Sequence, residues 1–492
     1  MFPILPRNPS HSSLRGQPAT LLLISLVALA LPAISCISPK RTPNIDRIFA
    51  EARLRKGKRP VIVIPGILGS QLINSKTGET VWPSVLRSAD DGSSLPMTPD
   101  LAASRDDVVP GKIVETLRLA RILPEVYIYR DLLQALSRFA GYREADWNNP
   151  SSDGDQDTFY IFSYDWRRDN VENARELVRR MESLKQKLNR PDLRFNILAH
   201  SMGGLIARYA AMYGDADIPD GEEPLAPTWA GAAHIQRIVL LGVPNQGSAD
   251  ALATLLDGYS VTEGLRRRVP LLNKLRREDA ISCPALFQLL PHGNSAGFLD
   301  EELRPLQVDI YDPQVWKLYG WSAVNDPDYR KRYARAGDPE KALETLDAYF
   351  AAVLHRAKRF HQALDAISDA APPVMLLALG GDCEETLSKP VILRDRERDR
   401  WVTLIRPKEY RTTSGRRVTR REATEAMYAP GDGRVSRKSL LGGVLAPAGV
   451  GYAGSHLRLA YAVFACDLHG QLQRNKILQD NALTALLAEA VK

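Results

Sequence analysis

Short apolar runs alternate along this chain with longer stretches of helical period. Val61-Ile62-Val63-Ile64, Thr158 to Ser163, Arg194 to Ala199, Ile235 to Gly242, Val374 to Leu379 and Leu459 to Asp467 are rich in Val, Ile, Leu or aromatic residues. Most have Gly, Pro, Asp or Asn at or near one end. Such runs fit strands buried on both faces. Between them, Val171 to Leu188, Leu205 to Met212 and Leu478 to Val491 read as helices, the first with polar residues filling one side. Strands alternating with helices predict an α/β fold, a mostly parallel sheet with helices on both faces.

Two stretches interrupt this rhythm. Gln71 to Asp157 holds a loop rich in Ser, Asp and Pro around Ser88 to Pro99, then a helical pattern near Arg130 to Phe139; Asp250 to Pro372 is more regularly helical, ending in Lys341 to Ile367. Both follow strand ends that a parallel sheet presents on one edge, where binding crevices form. The expected organisation is a core over residues 58–249 and 373–492, with a lid insertion over about 72–157 and a helical cap insertion over 250–372.

Composition narrows the class. With 44% hydrophobic and 25% charged residues the chain is globular, and a formal charge of +7 on 492 residues, without zinc-finger or RNA-binding signatures, gives no argument for nucleic acid. At the N-terminus, Arg7 and Arg15 precede an apolar run from Ala19 to Leu31 that is too short to span a bilayer comfortably. Residues 1–35 therefore read as a signal peptide, and the protein as exported: periplasmic, secreted or membrane-anchored. Leu31 to Cys36 (LPAISC) resembles a bacterial lipobox with Ala33 in the usual Leu position, so lipidation of Cys36 and simple cleavage are the two alternatives. The other cysteines, Cys283, Cys383 and Cys466, lack metal-ligand spacing. They read as buried small hydrophobes, with a disulfide between two of them left open. The basic stretch Arg394 to Arg421, with Trp401 to Ile405 at its centre, reads as an exposed charged hairpin. Contact with anionic lipid headgroups is its sharper alternative.

The chemistry centres on A-H-S-M-G, residues 199–203, between a predicted strand and a predicted helix. A strand that turns sharply into a helix crowds the residue at the turn, so its neighbours two positions away must be small; Ala199 and Gly203 are, and Ser201 is thereby exposed as a nucleophile. The plainer alternative is a helix N-cap serine. A serine hydroxyl needs a histidine to take its proton and a carboxylate to orient that histidine, in the chain order serine, acid, histidine for this class of turn. His469 follows the last predicted strand, on the edge that Ser201 occupies, whereas His456 precedes that strand; His469 is the expected base. Asp432 in the Pro-Gly-Asp-Gly turn is the expected acid, with Asp382 after the preceding strand as the alternative. Two backbone N–H groups are needed for an oxyanion. Met202 offers one, and the loop Pro65 to Ser70 a second. That loop holds no Lys or Arg and leads into no G-K-[S/T], so it does not read as a phosphate cradle.

Taken together, Pro60 to Leu72 (PVIVIPGILGSQL), Val81-Trp82-Pro83, Tyr164-Asp165-Trp166-Arg167, Ala199 to Gly204 (AHSMGG), Gly242 to Ser248 (GVPNQGS) and Gly431 to Val435 (GDGRV) resemble the lecithin:cholesterol acyltransferase family. That family includes phospholipid:diacylglycerol acyltransferases and lysosomal phospholipase A2. The resemblance implies an α/β-hydrolase core, with Ser201 as nucleophile, Asp432 as acid and His469 as base. It also implies Ile67 and Met202 as oxyanion donors and Trp82 near the acyl or headgroup site. Arg434 stands where the family commonly has Thr, and no cysteine lies between Cys36 and Cys283, so the cysteine-bounded lid of the animal enzymes does not carry over. The expected function is a bacterial serine-dependent O-acyltransferase that moves a fatty acyl group from a phospholipid or other lipid ester to an acceptor hydroxyl. A lipase or phospholipase, a peptidase or small-ester hydrolase of the same fold, and a non-catalytic lipid-binding surface protein are the alternatives. The expected partner is a lipid substrate at a membrane or lipid surface, not nucleic acid; no cofactor or metal is implied.

Overall fold

Strand β1 (Val61–Ile64) is buried along its whole length and sends alternate residues to two cores. Ile62 and Ile64 join one, Val61 and Val63 the other, because successive side chains of a strand point to opposite faces. The same split recurs in β4 (Phe195–His200), where Ile197 and Leu198 part company. This is why the run is apolar without alternation. In this computed structural model the structure describes residues 42–83, 93–118, 125–219, 221–260, 274–322, 339–367, 372–443 and 457–488. Those from Ile45 onward form one compact unit.

The remaining sheet strands are β2 (Arg143–Glu144), β3 (Thr158–Ile161), β5 (Ile235–Leu241), β6 (Met375–Gly381) and β7 (Leu459–Ala465). They lie in the order β7-β6-β5-β4-β1-β3-β2, and every neighbouring pair is parallel. The pairing brings Ile64 beside Ala199, His200 beside Leu241, and Gly381 beside Ala465. The carboxyl ends of these strands therefore share one edge.

Helix α1 (Asn170–Lys187) turns Val171, Ala174, Leu177, Val178, Met181 and Leu184 inward at helical spacing, and the Asp169 carboxylate accepts the Val171 N–H at its start. Helix α2 (Met202–Tyr213) is buried on every side. It lies between the sheet and the long helix α3 (Pro339–Asp365), to which Tyr213 Oη donates at the Ala363 carbonyl (2.8 Å) and Arg208 Nη2 at that of Leu364 (2.6 Å). Helix α4 (Lys476–Leu487) covers the other face with Leu478, Ala482, Leu483 and Leu486. The chain has the α/β-hydrolase fold.

Between β1 and β3 the chain forms a small sheet of Ser70–Asn74, Thr80–Trp82 and Val108–Ile113, a hairpin of Thr116–Arg118 with Glu125–Tyr127, and a helical segment over Arg130–Gln134 and Ala135–Phe139. Between β5 and β6 lie the helices Ala249–Asp257, Arg277–Ile281, Pro284–Phe287, Pro313–Leu318 and α3.

Three sequence expectations need comment. Cys383 and Cys466 are joined in a disulfide, whereas Cys283 is free and buried; the buried-hydrophobe reading holds for Cys283 and is corrected for the other two, which are exposed. The basic stretch does contain a hairpin, Val391–Asp395 paired with Arg400–Leu404, but Val391, Ile392 and Leu404 are buried, and Arg416, Arg417 and Arg421 are paired with Glu302 and Glu422, Glu409, and Glu425. It is a packed element with much of its charge matched, not a free basic surface. Met1 to Ser35, with Cys36 and His456, lie outside the described residues. Among those described, no helix is long and apolar enough to cross a membrane.

Candidate active site

Ser201 lies between β4 and α2, at the N-cap of the helix, with φ 52°, a left-handed conformation that costs an L-residue about 1–3 kcal/mol and persists only where the surroundings impose it. They do so from three sides. The Ser201 N–H is held by the Leu241 carbonyl at 2.8 Å. A Cβ on Gly203 would lie 2.4 Å from the Pro65 oxygen, and one on Gly204 2.2 Å from a Val243 methyl. The small residues of the motif therefore let α2 press against the loops after β1 and β5.

His469 follows β7 on the same edge. Its Nε2 is 2.9 Å from Ser201 Oγ and its Nδ1 is 2.8 Å from Asp432 Oδ2. A carboxylate only accepts, so Nδ1 carries the proton and Nε2 is free to accept from the serine hydroxyl. The turn holding Asp432 is fixed independently: Oδ1 accepts the N–H groups of Arg434 (3.0 Å) and Val435 (2.7 Å), and Thr386 Oγ1 accepts that of Gly433 at 2.9 Å. The Asp432 carbonyl also accepts the His469 N–H at 2.8 Å. Ser201, Asp432 and His469 are all buried. Asp382 points elsewhere, 3.4 Å from Arg437.

The loop after β1 comes against the serine: a Cβ on Gly66 would be 2.8 Å from Ser201 Cβ. Ile67 follows directly, and Met202 is the first residue of α2. Among the described residues neither backbone N–H has a protein acceptor. Trp82 is fully buried, with Nε1 donating to the Leu68 carbonyl at 2.9 Å and its ring edge-on to Trp166. It braces this loop from behind.

The Tyr164 to Arg167 motif, which in the sequence is only a resemblance, has a physical role in the structure. Tyr164 Oη donates to the Pro65 carbonyl (2.9 Å), Ser70 Oγ accepts the Tyr164 N–H (3.1 Å), and Trp166 Nε1 donates to the Ser70 carbonyl (3.2 Å). Arg167, without exposed surface, is forked between Asp165 and Asp106. Tyr129 and His200, neither assigned a role from the sequence, are hydrogen-bonded to each other at 2.7 Å beside the serine. Their partners come from distant parts of the chain, so no local pattern announces them.

A family model described as lecithin:cholesterol acyltransferase matches residues 114–305, a span that includes Ser201 but not Asp432 or His469. No curated protein matches the chain. Among solved structures it is similar to the Tle4–Tli4 complex, at 14% identity and TM-score 0.49 over 87% of this chain and 98% of that one. It is also similar to the mature form of the Bacillus licheniformis lipase BlEst2, at 10% and 0.33 over 88% and 93%, and to EstA from Clostridium botulinum, at 13% and 0.33 over 92% and 93%. The chain therefore combines the α/β-hydrolase fold with a segment, residues 114–305, that matches the lecithin:cholesterol acyltransferase family model.

Proposed function

We propose that the protein is a serine O-acyltransferase that takes a fatty acyl group from a phospholipid or other lipid ester and passes it to an acceptor hydroxyl. The observation that carries this reading is the hydrogen-bonded series Ser201–His469–Asp432 at the carboxyl edge of the sheet. Ser201 Oγ attacks the ester carbonyl as its proton passes to His469 Nε2. Asp432 holds Nδ1–H and stabilises the imidazolium. The oxyanion is received by the N–H groups of Ile67 and Met202. His469 then protonates the leaving alcohol; in the second half it takes the proton of the attacking acceptor hydroxyl and returns it to Ser201 Oγ as the acyl–serine bond breaks and the new ester forms.

The segments over 72–157 and 250–372 would act as lid and cap, with Trp82 supporting the lid side of the site. The burial of Ser201 and His469 favours transfer, because a site closed to bulk water gives an alcohol the advantage. Hydrolysis is the second reading, since water needs no binding pocket to attack the same acyl-enzyme. Export is supported by the exposed Cys383–Cys466 disulfide, a bond that persists in oxidising compartments.

A fluorophosphonate probe tests the nucleophile: wild type is expected to label and Ser201→Ala not, and an unlabelled wild type would defeat the whole reading. Mixed phospholipid vesicles with and without a sterol or diacylglycerol, analysed by product mass spectrometry, divide the two outcomes. New ester is expected with acceptor present; free fatty acid alone would assign hydrolysis.

A further inference from the structure

We infer that Tyr129 and His200 are positioning residues that lock the oxyanion loop, the nucleophile turn and the base loop into one register. The inference rests on the reading above and goes past it, because neither residue touches the reacting atoms of that scheme.

The Gly66 N–H can only donate, and it donates to Tyr129 Oη at 2.8 Å. Tyr129 Oη lies 2.7 Å from His200 Nδ1, and His200 Nε2 lies 3.3 Å from the His469 carbonyl oxygen. That carbonyl can only accept, so Nε2 carries the proton of a neutral ring, and Nδ1 is left with a lone pair. The phenol must then donate its hydrogen to Nδ1. Only this arrangement satisfies every group: Gly66 N–H to Tyr129, Tyr129 O–H to His200, His200 Nε2–H to the His469 carbonyl. Burial lowers the pKa of His200 well below its ordinary value, with the neighbouring His469 ring adding to the effect. Burial likewise raises that of Tyr129. Both groups are therefore held neutral, as the chain of bonds requires.

The placement is what gives the bonds their consequence. Gly66 precedes Ile67, the second oxyanion donor in the proposal; His200 precedes Ser201; and the carbonyl belongs to His469 itself. The rings of His200 and His469 are 4.9 Å apart. Tyr129 comes from the inserted segment between β1 and β3 and packs on the loop it holds, where a Cβ on Gly69 would meet its ring at 3.0 Å. A hydroxyl from outside the core sheet thus closes a bridge between the two sides of the reaction centre. Catalytic geometry is sensitive to displacements of about 1 Å, so losing this bridge should slow the chemistry more than it weakens substrate binding.

The test is Tyr129→Phe, which removes only the hydroxyl, with the fraction of labelled sites counted by fluorophosphonate titration so that rates are expressed per active site. A misplacement of about 1 Å produced away from the chemistry can cost on the order of a hundredfold, so a partial misalignment should cost about ten- to a hundredfold. We expect kcat per site and the labelling rate to fall by that range with KM nearly unchanged. A per-site rate within about twofold of wild type would overturn the inference, and so would a loss confined to the number of active sites, the mark of a merely structural role. Nitrogen-15 NMR of wild type supplies an independent check: His200 should be protonated at Nε2 and bare at Nδ1, and the opposite tautomer would refute it. If wild type itself fails to label, the proposed function has failed instead, and the two results are distinguishable.

Discussion

Gly203 lies directly beneath the Pro65 carbonyl, with room for a hydrogen but not for a methyl: a Cβ there would be 2.4 Å from the oxygen and 2.8 Å from an Ile64 methyl. The obstacle is backbone of the loop that carries Ile67, which cannot yield as a flexible side-chain end would. Gly203→Ala is therefore expected to lower stability by about 1–3 kcal/mol, the usual range for overpacking, and to reduce fluorophosphonate labelling at least tenfold as the loop is pushed away from Ser201. Gly470, beside His469, has nothing within 4 Å of its missing Cβ, so Gly470→Ala should behave like wild type. Equal labelling by all three proteins would contradict the account of the tight turn.

Arg167 is buried and forked between Asp165 and Asp106, beside the Tyr164 and Trp166 side chains that hold Pro65 and Ser70. Removing one member of a buried ion pair leaves the other charge without compensation and typically costs about 3–5 kcal/mol. Arg167→Met should show that loss in urea unfolding, since Asp165 would remain buried without its fork. Arg421, itself exposed and paired with Glu425, should change stability by no more than about 0.5 kcal/mol when replaced by Ala. If the two substitutions cost the same, Arg167 is not the brace its geometry indicates.

What could be read in advance follows from where each signal resides. The apolar runs of the sheet were legible because burial on both faces leaves no polar position, as in Val61 to Ile64. The serine turn was legible because its sterics act within a few residues. Strand β2 carries no apolar signal, because Arg143 and Glu144 are both exposed and their extended conformation comes from backbone pairing to β3. Pairing of Cys383 with Cys466 depends on two strand ends meeting 83 residues apart in sequence, and a cysteine beside a strand looks the same whether bonded or free. Tyr129 directly precedes the helical pattern Arg130 to Phe139 and His200 lies inside the serine motif, yet their shared hydrogen bond spans 71 residues. Positions near the reaction centre were thus readable when the constraint was local and opaque when it was a contact.

Stability should fall on mild acidification, and the histidines with lowered pKa set the sign. Burial, then the neighbouring Lys185 charge, lowers the pKa of His234 from 6.5 to about 4, partly offset by Asp215. Burial also carries His200 and His361 well below 6.5. The unfolded chain therefore binds protons that the folded chain refuses, and where the unfolded state holds more protons stability rises with pH. His234 supports the fold fully above its unfolded value of 6.5, and that support drains away as the pH drops from 6.5 to about 4. Urea midpoints measured across this window should decline, with a shallower slope in His234→Gln. An unchanged slope in that variant would remove His234 from the explanation.

The disulfide joins the ends of β6 and β7, the strands that lead into the two loops meeting at Asp432 and His469. Cys466 lies three residues before His469, and Glu384, next to Cys383, is bridged to Asp432. Closing an 83-residue loop restricts the unfolded chain by roughly 4.5 kcal/mol in the chain-entropy picture, and the same bond ties the segment beside Asp432 to the loop of His469. Both sulfurs belong to exposed residues, so a soluble reductant can reach them. Treatment with reductant, or replacement of both cysteines by Ser, should lower Tm by several degrees and reduce labelling of Ser201 below that Tm. If Tm falls while labelling of the folded protein is untouched, the bond stabilises the fold without aligning the site. If neither changes, the paired strand ends are held by their hydrogen bonds alone.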